Sequence, residues 1–184
     1  MDGTRRLAAA KAKSRFCSTL VTVPFACLTP GHGYDRQVIE LGHLTDRRPP
    51  FRYAAYTRVG FSDTDAQGVV YYGRYLPYFD LARTEYHRHL GAIDIRGEFA
   101  MRASTVEYHA PARFDDLLEV FVRVERVGTT SVTYDYAAYG CGEDGETDVL
   151  MATAKQTVVL IDPADRRPVP VPDSFRTRVT EFDG

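Results

Sequence analysis

The spacing of apolar and polar positions changes rhythm three times along this chain. Residues 1–50 show little sustained periodicity and end in TDRRPP, where paired prolines punctuate the chain. From Phe51 the spacing is two. Phe51, Tyr53, Ala55, Val59 and Phe61 share one face of an extended chain, with Arg52 and Arg58 opposite, which predicts a strand. Between Gly73 and Leu90 the spacing lengthens to three and four through Leu76, Phe79, Ala82, Tyr86 and Leu90, with Arg74, Arg83, Glu85 and Arg88 between. Pro77 sits in the first turn or so, where a missing N–H matters least, and Gly91 supplies a stop. One helix of about four to five turns is expected. Everything after it reads as strand. LEVFVRVERVG sets Leu118, Val120, Val122 and Val124 against Glu119, Arg123 and Glu125, and TSVTYDYAAYG repeats the alternation with Val132, Tyr134 and Tyr136, with Gly128 at the turn. ASTVEYHAPARF before them and DVLMATAKQTVVLID after them are rich in β-branched residues. PADRRPVPVPDSF is punctuated by prolines and is expected to lie extended on the surface.

One strand, one long helix and four further strands make an α+β fold, a helix against a five-stranded antiparallel sheet, and not a βαβ repeat. A single helix covers only one face of such a sheet. The other face, or the sheet edge, is expected to bury itself against a second subunit. The expected organisation is a poorly ordered N-terminal extension over 1–50, a domain over 51–162 and a C-terminal tail over 163–184.

With 184 residues, 44% hydrophobic and 12% aromatic, the chain has ample material for one packed domain. A net charge of −2 and a pI of about 6.2 supply no field that draws it to nucleic acid or an anionic membrane. Cys17, Cys27 and Cys141 are odd in number, widely spaced and without a C-x-x-C pair. That argues against a disulfide framework and a structural zinc site, so a reducing, cytoplasmic setting is expected. No apolar run reaches the ~18 residues that span a bilayer. Basic residues from Arg5 to Arg15 precede FCSTLVTVPFACL in the manner of a secretory signal, but Pro24 interrupts the run and no small-x-small cleavage site follows. A twin-arginine start, TRRLAA, is likewise broken by KAKSR.

GCGEDG at 140–145 has G-x-G-x-x-G spacing, but a dinucleotide site needs a helix after it, and a strand follows. It reads as a hairpin loop. His87 and His89, two apart on a helix, point to different faces and cannot chelate together. His109 falls in a strand without a sequence partner. No metal or cofactor is expected, and no G-x-S-x-G, Walker or H-E-x-x-H motif occurs.

The stretch FSDTDAQGVVYYGRYLPYFDLARTEYHRHLG, 61–91, places Asp63 and Asp65 on the loop before the helix. Unpaired N–H groups at a helix start carry partial positive charge and can hold an oxyanion. Asp65 is close enough in sequence to share that position as nucleophile or general base. Aspartate is also a favoured loop or helix cap, and the spacing by itself favours that reading.

DTDAQGVVYYGRYLPYFDLARTEYHRHLG resembles the signature of the 4-hydroxybenzoyl-CoA thioesterase family, hotdog-fold enzymes that hydrolyse acyl-CoA thioesters. It is especially similar to the branch that includes the Tol-Pal-associated thioesterases. That branch reads T-D-x-x-G-V-V-Y-[HYF]-x-x-Y before a helix ending A-R-[TS]-E; TDAQGVVYYGRY and ARTE stand here. YHAPARFDDLLEV matches the family's P-A-R-[YF]-x-D-x-L-x-V, and the likeness covers 51–162. The resemblance implies a hotdog fold, an acyl-CoA substrate, a homodimer or homotetramer with the pantetheine arm between protomers, and no cofactor. It makes Asp65 the catalytic carboxylate and Tyr72 the residue whose backbone N–H polarises the thioester carbonyl. Gly68 permits the turn between them, and Asp63 is structural. Tyr71, Tyr72, Tyr75 and Phe79 fit either a lining for an aryl or short aliphatic acyl group or ordinary core, and Tyr71 and Tyr75 are the expected substrate contacts.

Two positions depart from the pattern. Many relatives carry His where Tyr72 stands, and most carry Asn where Arg74 stands, so Arg74 faces acyl group, CoA phosphate or solvent. Arg102, Arg113, Arg126 and Lys155 are basic residues available to the phosphates and equally ordinary solvated charges. Attack by Asp65 to form an anhydride and activation of water by Asp65 both fit. Dehydratases and hydratases of the same fold need a histidine near the acid, and none lies between Asp65 and His87. A non-catalytic acyl-CoA or acyl-carrier binding module has no use for Asp65.

Overall fold

The computed structural model describes residues 41–95, 97–141 and 148–184. The chain divides into units Met1–Gln37 and Val38–Gly184, and every described residue falls in the second. Cys17, Cys27, the expected extension ahead of residue 41 and most of the GCGEDG loop lie outside the described residues. Among the described residues no helix is long and apolar enough to cross a membrane.

Among the described residues six strands form one antiparallel sheet, in the order β1 (Gly42–Leu44), β2 (Tyr53–Arg58), β4 (Leu117–Val127), β5 (Ser131–Gly140), β6 (Val149–Ile161) and β3 (Glu98–Tyr108). Helix α1 (Tyr75–His89) lies across β2 and β4. The period-two pattern explains the packing. Leu118, Val120, Val122 and Val124 of β4, Val132, Tyr134 and Tyr136 of β5, and Ala152, Ala154, Val158 and Leu160 of β6 are all buried in one cluster with Phe79, Ala82 and Tyr86 of α1. Each larger side chain so buried contributes roughly 1.5–3 kcal/mol.

Four expectations need correction. The sheet has six strands, not five, because Gly42–Leu44 pairs with β2 (Gly42↔Ala55) inside the stretch expected to be an extension. A three-residue strand is too short to show alternation. On β2, Tyr53, Ala55 and Val59 point inward as expected, but Phe51 packs with Ala54 and Phe121 on the opposite face and Phe61 is 80% exposed. The strand ends at Arg58, so its alternation does not extend to Phe61. On α1 the buried stripe is Tyr75, Tyr78, Phe79, Ala82 and Tyr86, while Leu76 is 38% exposed. The stripe is rich in tyrosine, which a purely apolar count passes over. The tail is not extended throughout: after Pro172 it forms helix α2 (Asp173–Asp183), with Phe175 and Val179 buried. The prolines stop where that helix starts, and Arg176 donates to the Gly128 carbonyl at 2.6 Å, tying it to the β4–β5 turn.

The outer face of the sheet is also partly covered. Glu119, on the polar side of β4, is fully buried, where Arg47 Nη1 donates to Oε2 at 2.7 Å and His43 Nε2 stands 2.9 Å from Oε1. Arg47 also pairs with Asp148, so the residues around β1 are strapped across that face by charge. A buried carboxylate is tolerated only with such partners.

His87 is buried in the core, with Nε2 2.7 Å from the Tyr134 hydroxyl and the Phe99 and Phe175 rings beside it. Burial, and secondarily the charge of Arg83, pushes its pKa down from 6.5 to about 4. Between those two values the unfolded chain binds a proton that the folded protein refuses. Stability therefore falls as pH drops through that window, by on the order of 3 kcal/mol in all. Urea midpoints measured from pH 7 to pH 4 should fall less steeply for His87→Gln than for the wild type; parallel curves would contradict this.

Candidate active site

The approach to α1 is built on Asp63. Its Oδ2 accepts from the Gly60 N–H at 2.9 Å and the Tyr78 hydroxyl at 2.8 Å, and its carbonyl accepts from the Tyr71 N–H at 2.9 Å. Burial first, and the Asp63 carboxylate second, hold the Tyr78 phenol far above its ordinary pKa, so it remains a donor. Arg74 turns to the same loop: Nη2 donates to the Ser62 carbonyl at 3.2 Å and Nε stands 3.6 Å from Asp63 Oδ1. Asp63 is thereby committed to structure.

Asp65 is held differently. It opens a tight turn in which its carbonyl accepts from the Gly68 N–H at 3.0 Å and its N–H donates to the Val69 carbonyl at 2.9 Å. The Gln67 N–H donates to Oδ1 at 2.8 Å. Gly68 has φ +75°, and an added Cβ would meet nothing there, so glycine serves the backbone and not the space around it. Bridges Thr64↔Val70 and Val69↔Arg113, with Val70 N–H donating to the Ala112 carbonyl at 2.8 Å, fasten this hairpin to the chain beyond β3. Asp65 is half-buried; among the described residues its Oδ2 accepts no hydrogen bond and its carboxylate pairs with no cation.

Asp65, Tyr72 and Tyr75 meet on an open cleft of about 400 Å³, joined there by Tyr108 and His109. Tyr72 opens the 3₁₀ turn, Tyr72–Arg74, that runs directly into α1. Its N–H donates to no acceptor among the described residues, while its carbonyl accepts from the Tyr108 hydroxyl at 2.9 Å. The Tyr75 and Tyr108 rings lie 5.6 Å apart and line the cleft with aromatic surface. Of the remaining sequence-predicted residues, Gly68 shapes the turn, Tyr71 stacks behind Tyr72 with ring centres 4.2 Å apart, and Arg74 points at Ser62 and Asp63. Tyr108 and His109 went unrecognised as site residues, because only the long excursion of β3 brings them to Asp65. Their one sequence signal is their place in YHAPARF.

A cleft of similar size, about 440 Å³, lies on the outer sheet face over Phe51 and Tyr139. Its charges neutralise one another, with Arg123 2.6 Å from Asp135 and Lys155 beside both Glu125 and Asp135. Glu107 on its lining, by contrast, has no ion-pair partner among the described residues, so the two clefts are told apart by the residues that line them. Asp65, Tyr72 and Tyr75 line the first cleft and none of them lines this one.

Known proteins resemble this chain in sequence and in fold. The family described as the thioesterase-like superfamily matches residues 59–179. The acyl-CoA thioester hydrolase YbgC of Escherichia coli is 35% identical over 130 residues, spanning 68% of this chain and 91% of the relative. The acyl-CoA thioesterase YbgC of Haemophilus influenzae is 31% identical over 125 residues, spanning 65% and 88%. The crystal structure of a probable thioesterase from Bartonella henselae superposes with a TM-score of 0.57 at 29% identity, covering 65% of this chain and 96% of that one.

Gly68→Ala should cost about 1–2 kcal/mol, the strain of a left-handed L-residue, since no clash adds to it. Thermal denaturation checks the stability. Because the same turn aims Asp65, kcat should fall as well.

Proposed function

The chain belongs to the thioesterase-like superfamily, and on that footing we propose that it hydrolyses acyl-CoA thioesters to free acid and CoA through Asp65. One observation carries the reading: the unengaged Oδ2 of Asp65 shares a cleft with the unpaired Tyr72 N–H at the entry to α1. The thioester carbonyl oxygen takes the Tyr72 N–H as its donor. Charge that develops on that oxygen is stabilised by the helix start, a contribution of about 3 kcal/mol per good donor. Asp65 either attacks the carbonyl carbon or takes a proton from a water that does. Tyr72, Tyr75 and Tyr108 receive the acyl group.

The strand at the sheet edge supports an oligomer. β3 runs for 11 residues with one side unpaired and most of its side chains exposed, Met101 (47%) and Tyr108 (49%) among them. Such an edge seeks a partner strand. A homodimer or homotetramer, with the pantetheine arm entering between protomers, fits it. A cytoplasmic location belongs to the same proposal and rests on the cysteine pattern.

The absence of a histidine near Asp65 in sequence does not carry over to the fold, because His109 lines the same cleft. Hydrolysis is favoured over hydratase chemistry by the relatives, which are thioester hydrolases. A pure binding module is disfavoured by a carboxylate left open to the cleft.

Asp65→Asn should lower CoA release, followed with a thiol reagent over short, long and aryl acyl-CoAs, by at least about a hundredfold with the fold retained. An unchanged rate ends this reading. A single turnover in labelled water distinguishes the routes: label in the Asp65 carboxylate marks the anhydride.

A further inference from the structure

Thioester hydrolysis needs two proton movements, one away from the attacking water and one toward the departing sulfur. Asp65 serves the first. On the hydrolytic reading above, we propose that His109 is a second catalytic residue of the site, the acid that protonates the CoA sulfur as the thioester breaks.

His109 follows β3 directly and is held to β6 at two points: its N–H donates to the Met151 carbonyl at 2.8 Å, and Nε2 stands 3.1 Å from Thr153 Oγ1. His109 is exposed and lines the cleft with Asp65 and Tyr72, and among the described residues Nδ1 has no hydrogen-bond partner. The imidazole is thus anchored through one nitrogen and free at the other. The other described histidines are occupied elsewhere: His43 on Glu119, His87 in the core, His89 against Tyr53 and Phe182. The groups around His109 are Asp65 on the hairpin, Tyr72 on the 3₁₀ turn, Tyr75 on α1, and Tyr108 and Glu107 on β3. On β6, Lys155 lies two residues beyond Thr153 and is occupied by Glu125 and Asp135. Burial pushes the Tyr75 and Tyr108 phenols up, which keeps them neutral. Imidazole is the side chain that exchanges a proton most readily near neutral pH.

As the water oxygen bonds to the carbonyl carbon, Asp65 takes its proton. The oxyanion collapses and the C–S bond breaks with its electron pair on sulfur. Nδ1–H of the His109 imidazolium then protonates that sulfur. The products are free acid and CoA thiol, and both side chains return to their starting states by exchange with solvent. Where Asp65 attacks directly, the C–S bond breaks in the same way and the sulfur takes the same proton; water then hydrolyses the anhydride to the free acid and the Asp65 carboxylate.

His109→Gln, which keeps a polar side chain but no transferable proton, should lower kcat by about a hundredfold with little change in KM. Thioesters of acidic aryl thiols, whose thiolates depart unaided, should lose far less than CoA esters. Wild-type turnover in His109→Gln overturns the proposal, as does an equal deficit for alkyl and aryl thiol esters. That ratio is taken within one preparation, so a partly folded variant still reports. An inactive Asp65→Asn beside a fully active His109→Gln refutes only the role of His109; an active Asp65→Asn refutes the hydrolytic reading and this proposal with it.

Discussion

Asp63 ties the approach to the helix. It receives the Gly60 N–H and the Tyr78 hydroxyl on one carboxylate oxygen and the Tyr71 N–H on its carbonyl. These three bonds join the end of β2, the first turns of α1 and the residue before Tyr72. Without them the 3₁₀ turn that presents the Tyr72 N–H would have no fixed relation to the hairpin that carries Asp65. The neighbouring aspartates therefore divide the labour. Asp63 takes two donors on Oδ2 and has Arg74 beside Oδ1; Asp65 takes one donor from its own turn on Oδ1, and among the described residues none on Oδ2. A carboxylate acts as base or nucleophile only when its lone pairs are free, and that freedom rests on the rigidity its neighbour provides.

The sheet supports this arrangement from both sides, by different physics. Its inner face is a conventional apolar layer against α1, extended by α2, whose Asp183 accepts from the buried Tyr86 hydroxyl at 2.7 Å and the Val124 N–H at 3.0 Å. Its outer face is held where Glu119 is enclosed by Arg47 and His43. A buried carboxylate needs its partners in place, and removing one leaves an uncompensated charge. The ionic cluster thus gives the short strand β1, which lacks any apolar pattern of its own, a defined place on the sheet.

The strands and the long helix were legible because alternation and the three-to-four spacing reflect burial on one side of a regular element. Leu118, Val120, Val122 and Val124 are buried as their spacing implied. The pattern misled where burial came from another element. Glu119 and Phe121 lie on the face that reads as solvent-exposed, and both are fully buried. Phe61 continues an alternation that its backbone does not. Prolines hid α2, since they mark where a helix cannot continue but not where one begins.

The same division runs through the site. Asp65, Gly68 and Tyr72 were singled out in sequence by a family resemblance, and they lie within eight residues of one another on a single strand-to-helix connection, where local geometry is set by local chemistry. The different fates of Asp63 and Asp65 were not readable, because a carboxylate's hydrogen-bond partners depend on groups such as Tyr78 that arrive only when the helix packs. Nor could the sequence place Tyr108 and His109 beside Asp65. They reach it through β3, a strand at the far edge of the sheet whose end returns to the hairpin through Val69 and Arg113. Periodicity and turn residues specify which elements form; which side chains share a cleft follows from how those elements pack in three dimensions.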